Sequence, residues 1–206
     1  MLRPLMIAWI LFAGIVAPAS AAGDIKKGAQ TAALCMGCHG EKGVSVVPNF
    51  PNLAAQHAGY LEKQLKELKA QQLRKDPTMS PMAATLNDAD MADVAAFFAS
   101  LPRAPAAGPG THRPELLARG KQVYKGGDRY KEIPACAGCH GPMGEGNPLA
   151  RYPRLAGQHS DYIVAQLKKF KSGERANDPN KMMRDIASRM SNIDINAIAA
   201  YISTIE

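Results

Sequence analysis

A C-x-x-C-H run occurs twice in this chain, as "LCMGCHG" at 34–40 and "ACAGCHG" at 135–141, and the sequence around it is duplicated as well. "PNLAAQHAGYLEKQLKELK" from Pro51 answers to "PRLAGQHSDYIVAQLKKFK" from Pro153, and "LNDADMADVAAFF" from Leu86 answers to "MSNIDINAIAAYI" from Met190. A chain of 206 residues that repeats itself once is predicted to fold as two similar small units. Between the copies, "SLPRAPAAGPGTHRPE" carries Pro102, Pro105, Pro109 and Pro114 among small residues, which suits a semi-extended linker. The expected division is 22–102, a linker at 103–112, and 113–206.

Both copies read as helical. Met91, Val94, Ala95, Phe98 and Leu101 form one helical stripe, and Ile195, Ile198, Ala199 and Ile202 repeat it. Asn87 with Asp90, and Ser191 with Asp194, stand at N-cap and N3 spacing. Leu61, Leu65 and Leu68, answered by Ile163, Leu167 and Phe170, give each copy a second amphipathic helix. Period-two alternation is absent, so the expected fold class is all-α. Units this small bury a modest core and often need a further staple.

The N-terminal 21 residues stand apart from both copies. Arg3 gives a positive start, Leu5 to Ala17 is an apolar run of 13 residues, and Ala19-Ser20-Ala21 is a cleavage pattern. A bilayer span needs about 20 residues, so a secretory signal peptide cleaved near Ala21 is predicted, with the mature chain in the periplasm and at a membrane only through partners. From 22 to 102 there are eight basic and eight acidic side chains, against sixteen and ten from 103 to 206. Export and the lack of a basic block with interleaved aromatics argue against nucleic acid; an acidic protein partner fits the excess better.

All four cysteines fall in the two pairs. On one helical turn Cys35, Cys38 and His39 share a face, as do Cys136, Cys139 and His140, so two thiols and an imidazole address one flat ligand. This is the attachment pattern of c-type haem, with thiols adding to the vinyl groups and imidazole reaching the iron. A thioredoxin-like dithiol would want a βαβ setting, a four-cysteine zinc site would want its pairs much closer, and simple disulfides leave both histidines without a role.

With these motifs in hand, the chain resembles the dihaem cytochrome c4 family. "PNFPNLAAQH", "YPRLAGQH" and the terminal "ADVAAFF" and "NAIAAYI" helices carry the likeness, which covers essentially the whole mature sequence. The resemblance implies two tandem class I cytochrome c-like domains, two covalently bound haem c groups, and histidine–methionine ligation of each iron. It also implies a glycine of the first helix packed on an aromatic of the last: Gly28 on Phe97 or Phe98, and Gly120 on Tyr201. The implied role is one-electron transport between a quinol-oxidising complex and a terminal oxidase, not catalysis. The alternatives are the cytochrome subunit of a periplasmic dehydrogenase and a dihaem peroxidase.

Ten methionines compete for the sixth position. Aligning the last helices gives a shift of 104 residues, which pairs Met79 with Met183 and no other two methionines. The family's ligand lies seven residues before the leucine-like position, where Met79 and Met183 both stand. Matching "DPT" to "DPN" instead gives a shift of 102 and keeps Met182 as an alternative. His57 and His159 also recur, at the mouth of the middle helix, and would offer bis-histidine ligation or a cap. Tyr60 and Tyr162 recur as core residues or contacts to a cofactor's carboxylates, whereas His112 falls in the linker.

Overall fold

The computed structural model describes residues 23–106 and 112–206. The predicted signal peptide with its cleavage point, and the middle of the linker, lie outside the described residues. The first copy folds into α1 (Ile25–Thr31), α2 (Ala33–His39), α3 (Ala58–Ala70), α4 (Met79–Ala84) and α5 (Asp88–Ser100). The second folds into α6 (Pro114–Gly126), α7 (Ala137–His140), α8 (Ser160–Ser172), α9 (Met182–Ser188) and α10 (Asn192–Ser203). Among the described residues extended pairing is limited to three isolated bridges, one of which, Arg74 with Arg175, joins the two copies.

Within each copy the first and last helices cross, α1 on α5 and α6 on α10, and the middle helix packs on the last. The crossing depends on a missing side chain. A Cβ on Gly28 would sit 2.0 Å from the Asp93 carbonyl oxygen and 2.9 Å from Phe97 Cβ; on Gly120 it would sit 2.0 Å from the Ala197 carbonyl oxygen and 2.7 Å from Tyr201 Cβ. No substitution fits without separating the helices. The aromatic partner in the first copy is thus Phe97, which leaves Phe98 to fill the core. Both predicted N-terminal signals form complete capping boxes, Asn87 with Asp90 and Ser191 with Asp194.

The stripes read from the sequence close two separate cores. Leu61, Val94, Ala95 and Phe98 bury together in the first, with Cys35 and Tyr60 at its edge. Ile163, Leu167, Ile195, Ile198, Ala199 and Ile202 bury in the second, with Cys136, Met183 and Tyr201 at its edge. The linker is tied down as it leaves the first copy: Ala104 is buried, and its carbonyl oxygen would lie 2.7 Å from a Cβ on Gly157.

The second domain has an ionic staple with no counterpart among the described residues of the first. Asp194, its side chain 2% exposed, accepts from Arg119 Nη2 at 2.7 Å, Lys131 Nζ at 2.6 Å and Ser191 Oγ at 2.7 Å. These bonds join α10 to α6 and to the loop before Cys136. Burial raises the Asp194 carboxyl, but hydrogen bonds from Lys131, Ser191 and Arg119 outweigh it and hold the group well below the ordinary carboxylate value. A depressed pKa contributes stability that is complete above about 3.9, the unfolded value, and is lost as pH falls through the folded value. Asp194→Asn should therefore lower stability at pH 7 by roughly 2–4 kcal/mol and flatten its dependence on pH below about 4. Thermal unfolding followed by circular dichroism across that range checks both effects, and an unchanged acid limb would contradict the assignment.

Candidate functional site

α2 brings Cys35, Cys38 and His39 onto one turn. In the second copy Cys136 is the N-cap of α7 in helical conformation, and Cys139 and His140 follow within the same turn. Gly40 and Gly141 end these helices at φ of 80° and 81°, where a side chain would be strained and the chain must turn back. Each histidine is buried, and each is aimed by the same bond: His39 Nδ1 donates to the Pro51 carbonyl oxygen at 2.8 Å, and His140 Nδ1 to that of Pro153 at 3.0 Å. Nδ1–H as donor leaves Nε2 as the bare lone pair, and Nε2 has no hydrogen bond among the described residues. Burial pushes both imidazoles below the ordinary histidine pKa, against the opposing pull of the proline carbonyls, so both are neutral near pH 7.

The thiols are unlike those of a redox dithiol. Burial raises the Cys35 pKa and pushes Cys136 up to about 11, where catalytic cysteines are lowered instead. The four cysteines form no disulfide with one another. Each motif sits on its own core cluster, so the pairs do not converge on a shared zinc. Two buried imidazoles with free Nε2 atoms, each beside two thiols on one helical turn, fit a covalently tethered haem in chemistry and in number.

Met79 opens α4, held by Asp76, whose carboxylate accepts from Met79 N and Thr78 N at 3.0 Å each. In the second copy a 3₁₀ turn, Pro179–Lys181, precedes Met182 and Met183 at the start of α9, with Asn180 and Lys181 both left-handed. Asp178 accepts from Arg184 N at 2.9 Å, one residue beyond Met183. The two residues that offset the alignments are thus absorbed in this turn.

His57 and His159 have a different occupation. Their backbones are the N-caps of α3 and α8, but their side chains cap nothing. Each Nε2 instead bonds a carbonyl of the other domain: His57 to Glu145 and His159 to Ser45, both at 2.9 Å. With Nε2 engaged by a carbonyl in each case, that nitrogen is not available to ligate an iron. Between them lies a reciprocal glutamine clasp. Gln158 Oε1 accepts from Asn52 N at 2.9 Å while its Nε2 donates to the Asn52 carbonyl at 2.9 Å; Gln56 does the same with Arg154, at 2.8 and 2.9 Å. The recurring "LAxQH" is therefore a domain–domain joint built twice.

A second layer of the joint is cationic. Arg175, 6% exposed, donates to Tyr60 OH at 3.1 Å, Gln64 Oε1 at 3.0 Å, Gln166 Oε1 at 2.8 Å and Asn177 Oδ1 at 2.9 Å. Arg74 donates to Tyr162 OH at 3.3 Å and also to Gln64 Oε1. Two guanidinium groups thus share one amide oxygen, and neither has a carboxylate among its described hydrogen-bond partners. Burial raises the Tyr60 hydroxyl pKa, yet the two arginines overcome it and hold the group below the ordinary phenol value. This pair escaped the sequence reading because Arg74 and Arg175 fall at a shift of 101, off both alignments.

Two helical domains, each with a C-x-x-C-H turn and a carbonyl-aimed imidazole, define a c-type cytochrome with two haem groups. The chain matches the sequence model of the Cytochrome c family over residues 25–102 and 117–206. It is 44% identical to cytochrome c4 of Azotobacter vinelandii, over 96% of each chain. It is also 39% identical to a thiosulfate dehydrogenase electron acceptor of Stutzerimonas stutzeri, over 86% of this chain and 82% of that one. The crystal structure of reduced recombinant cytochrome c4 from Pseudomonas stutzeri superposes with a TM-score of 0.84 at 40% identity, covering 90% of this chain and all of that one. The chain belongs to the dihaem cytochrome c4 family. It is an electron-transfer protein with two covalently bound haem groups.

The clasp makes a prediction. Gln158→Leu leaves the buried N–H and carbonyl of Asn52 without partners, a loss of about 1–3 kcal/mol charged to the joint and not to either core. Calorimetry of the mature protein should then resolve two domain transitions in place of one, and a single unshifted transition would contradict the role.

Proposed function

We propose that the protein is an exported, periplasmic one-electron carrier in which 22–102 and 113–206 are its domains and 103–112 joins them. Cys35 and Cys38, and Cys136 and Cys139, would hold the haem groups as thioethers. His39 with Met79, and His140 with Met183, would be the axial pairs. The observation that carries this reading is the repeated aim of a buried imidazole by a proline carbonyl. The haem group supplies an iron centre that gains or loses one electron. Were His39 and Met79, and His140 and Met183, to hold the irons, no position would be left for substrate, which suits a carrier and not a peroxidase.

The rest of the site is supplied by the chain. The core clusters that hold Phe98 and Leu61 in one domain, and Ile195 and Ile198 in the other, reach Cys35 and Cys136 and would give each site an apolar wall that disfavours the more highly charged oxidised state. Arg175, buried, and Arg74, half-buried, have no carboxylate among their described hydrogen-bond partners and would suit the carboxylates of the haem groups, with Tyr60 and Tyr162 beside them. Exposed Val46 and Leu149, in the loops that follow the two attachment turns, offer apolar contact to a docking protein.

The partners follow from charge. The second domain, with Arg103 of the linker, holds the whole basic excess and would dock on an acidic redox protein, leaving the neutral first domain for another. We assign the flow to a path from a quinol-oxidising complex toward a terminal oxidase. The 39% identity with a thiosulfate dehydrogenase electron acceptor favours a second reading, in which a periplasmic dehydrogenase is the donor. Co-purification of a catalytic dehydrogenase subunit would decide for it.

Two outcomes test the proposal. Met79→Ala and Met183→Ala should each remove about half of the sulfur-to-iron charge-transfer band of the oxidised protein, and a band untouched by both would refute these ligands. Electron transfer to the acidic partner should slow as ionic strength rises, since the Debye length shrinks from about 10 Å at 0.1 M to about 3 Å at 1 M; a salt-independent rate would remove the docking claim.

A further inference from the structure

The second domain places two sulfurs side by side, Met182 and Met183, where the first domain has Thr78 and Met79. Both are chemically able to ligate iron, so something must separate their roles. Their surroundings differ. Met183 packs against the core cluster that includes Cys136, whereas Met182 Sδ lies 3.8 Å from the Tyr152 hydroxyl, which donates to it.

Tyr152 is itself held fast. Its N–H donates to the Asn147 carbonyl at 2.9 Å, its carbonyl accepts from Asn147 N at 3.0 Å, and its ring packs on His140 with centroids 6.2 Å apart. In the first domain Phe50 occupies the same place against His39, with centroids 6.3 Å apart and no hydroxyl to offer. The additional sulfur and the additional hydroxyl therefore occur together, in one domain and not the other. A duplicated chain that had no use for the pairing would not need both changes in the same copy. The left-handed turn at Asn180 and Lys181, which delivers Met182 and Met183 to the start of α9, is likewise confined to the second domain.

We propose that Tyr152 is a positioning residue whose hydroxyl retains Met182 and so leaves Met183 as the single sulfur ligand of the second haem. The proposal rests on the assignment of Met183 made above. A sulfur lone pair that accepts a proton donor is withdrawn from the metal, and the tether costs Met182 the rotamer freedom it would need to compete. Loss of one such bond shifts the balance between the two sulfurs roughly two- to tenfold.

The test uses the mature dihaem protein and the charge-transfer band, with the first haem as a constant background. Met183→Ala should remove most of the second haem's share of the band, leaving only the small fraction in which Met182 escapes its tether. Adding Tyr152→Phe should bring back two- to tenfold more of that share than Met183→Ala alone retains, and adding Met182→Leu should remove it again. No gain on adding Tyr152→Phe would overturn the proposal. In the otherwise native chain, Tyr152→Phe should add a second set of ligand-methyl resonances for the second haem in proton NMR, and one unchanged set would count against it. Should Met183→Ala alone leave the band at full strength, the ligand assignment itself fails, an outcome distinguishable because Tyr152 is intact in that variant.

Discussion

One hydrogen bond, made twice, orders this molecule: the Nδ1–H of a buried histidine donates to a proline carbonyl 12 residues on in the first domain and 13 on in the second. It fixes the tautomer, the ring plane and the direction of Nε2. The residue after each proline, Asn52 or Arg154, gives its backbone N–H and carbonyl to a glutamine of the opposite domain. The segment that aims the imidazole is thus also the segment that joins the domains. The clasp therefore stands one residue from the carbonyl that holds the imidazole.

The duplication is imperfect in ways that matter. Four residues beyond the crossing glycine the first domain has Ala32, while the second has Tyr124, wholly buried with its hydroxyl bonded to the Gly141 carbonyl at 2.7 Å, directly after His140. Asp194 is clamped by two cations, whereas Asp90 makes only its capping bonds. Tyr152 and Met182 replace Phe50 and Thr78. Each difference adds polar fixation to the second domain, so the two sites differ in stiffness and in local dipoles. Unlike surroundings are the physical means by which two haem groups in one chain would be given unlike affinities for an electron.

Much of this was legible in the sequence because its signals are local and periodic. Helix stripes, capping boxes and the C-x-x-C-H turns depend on residues within a few positions of each other, and the repeat doubled every signal. The glycine crossings were legible only through the family likeness, which left Phe97 and Phe98 undecided until the backbone approach to Asp93 settled it. The joint was not legible. His57 and His159 looked like caps because their backbones do stand at N-cap positions, and Gln56 and Gln158 beside them carried no signal of their own; the partners of all four are about a hundred residues away, and no short-range rule reaches that far. Arg74 and Arg175 were hidden by a one-residue change of register between the copies.

X-ray absorption at the iron edge of the oxidised mature protein tests the central claim most directly, since it counts sulfur neighbours per iron without reference to any variant. The account predicts an average of one sulfur per iron, with nitrogen filling the remaining positions. An average of one half would mean that one domain closes its iron with something other than methionine, and none would contradict the account in both.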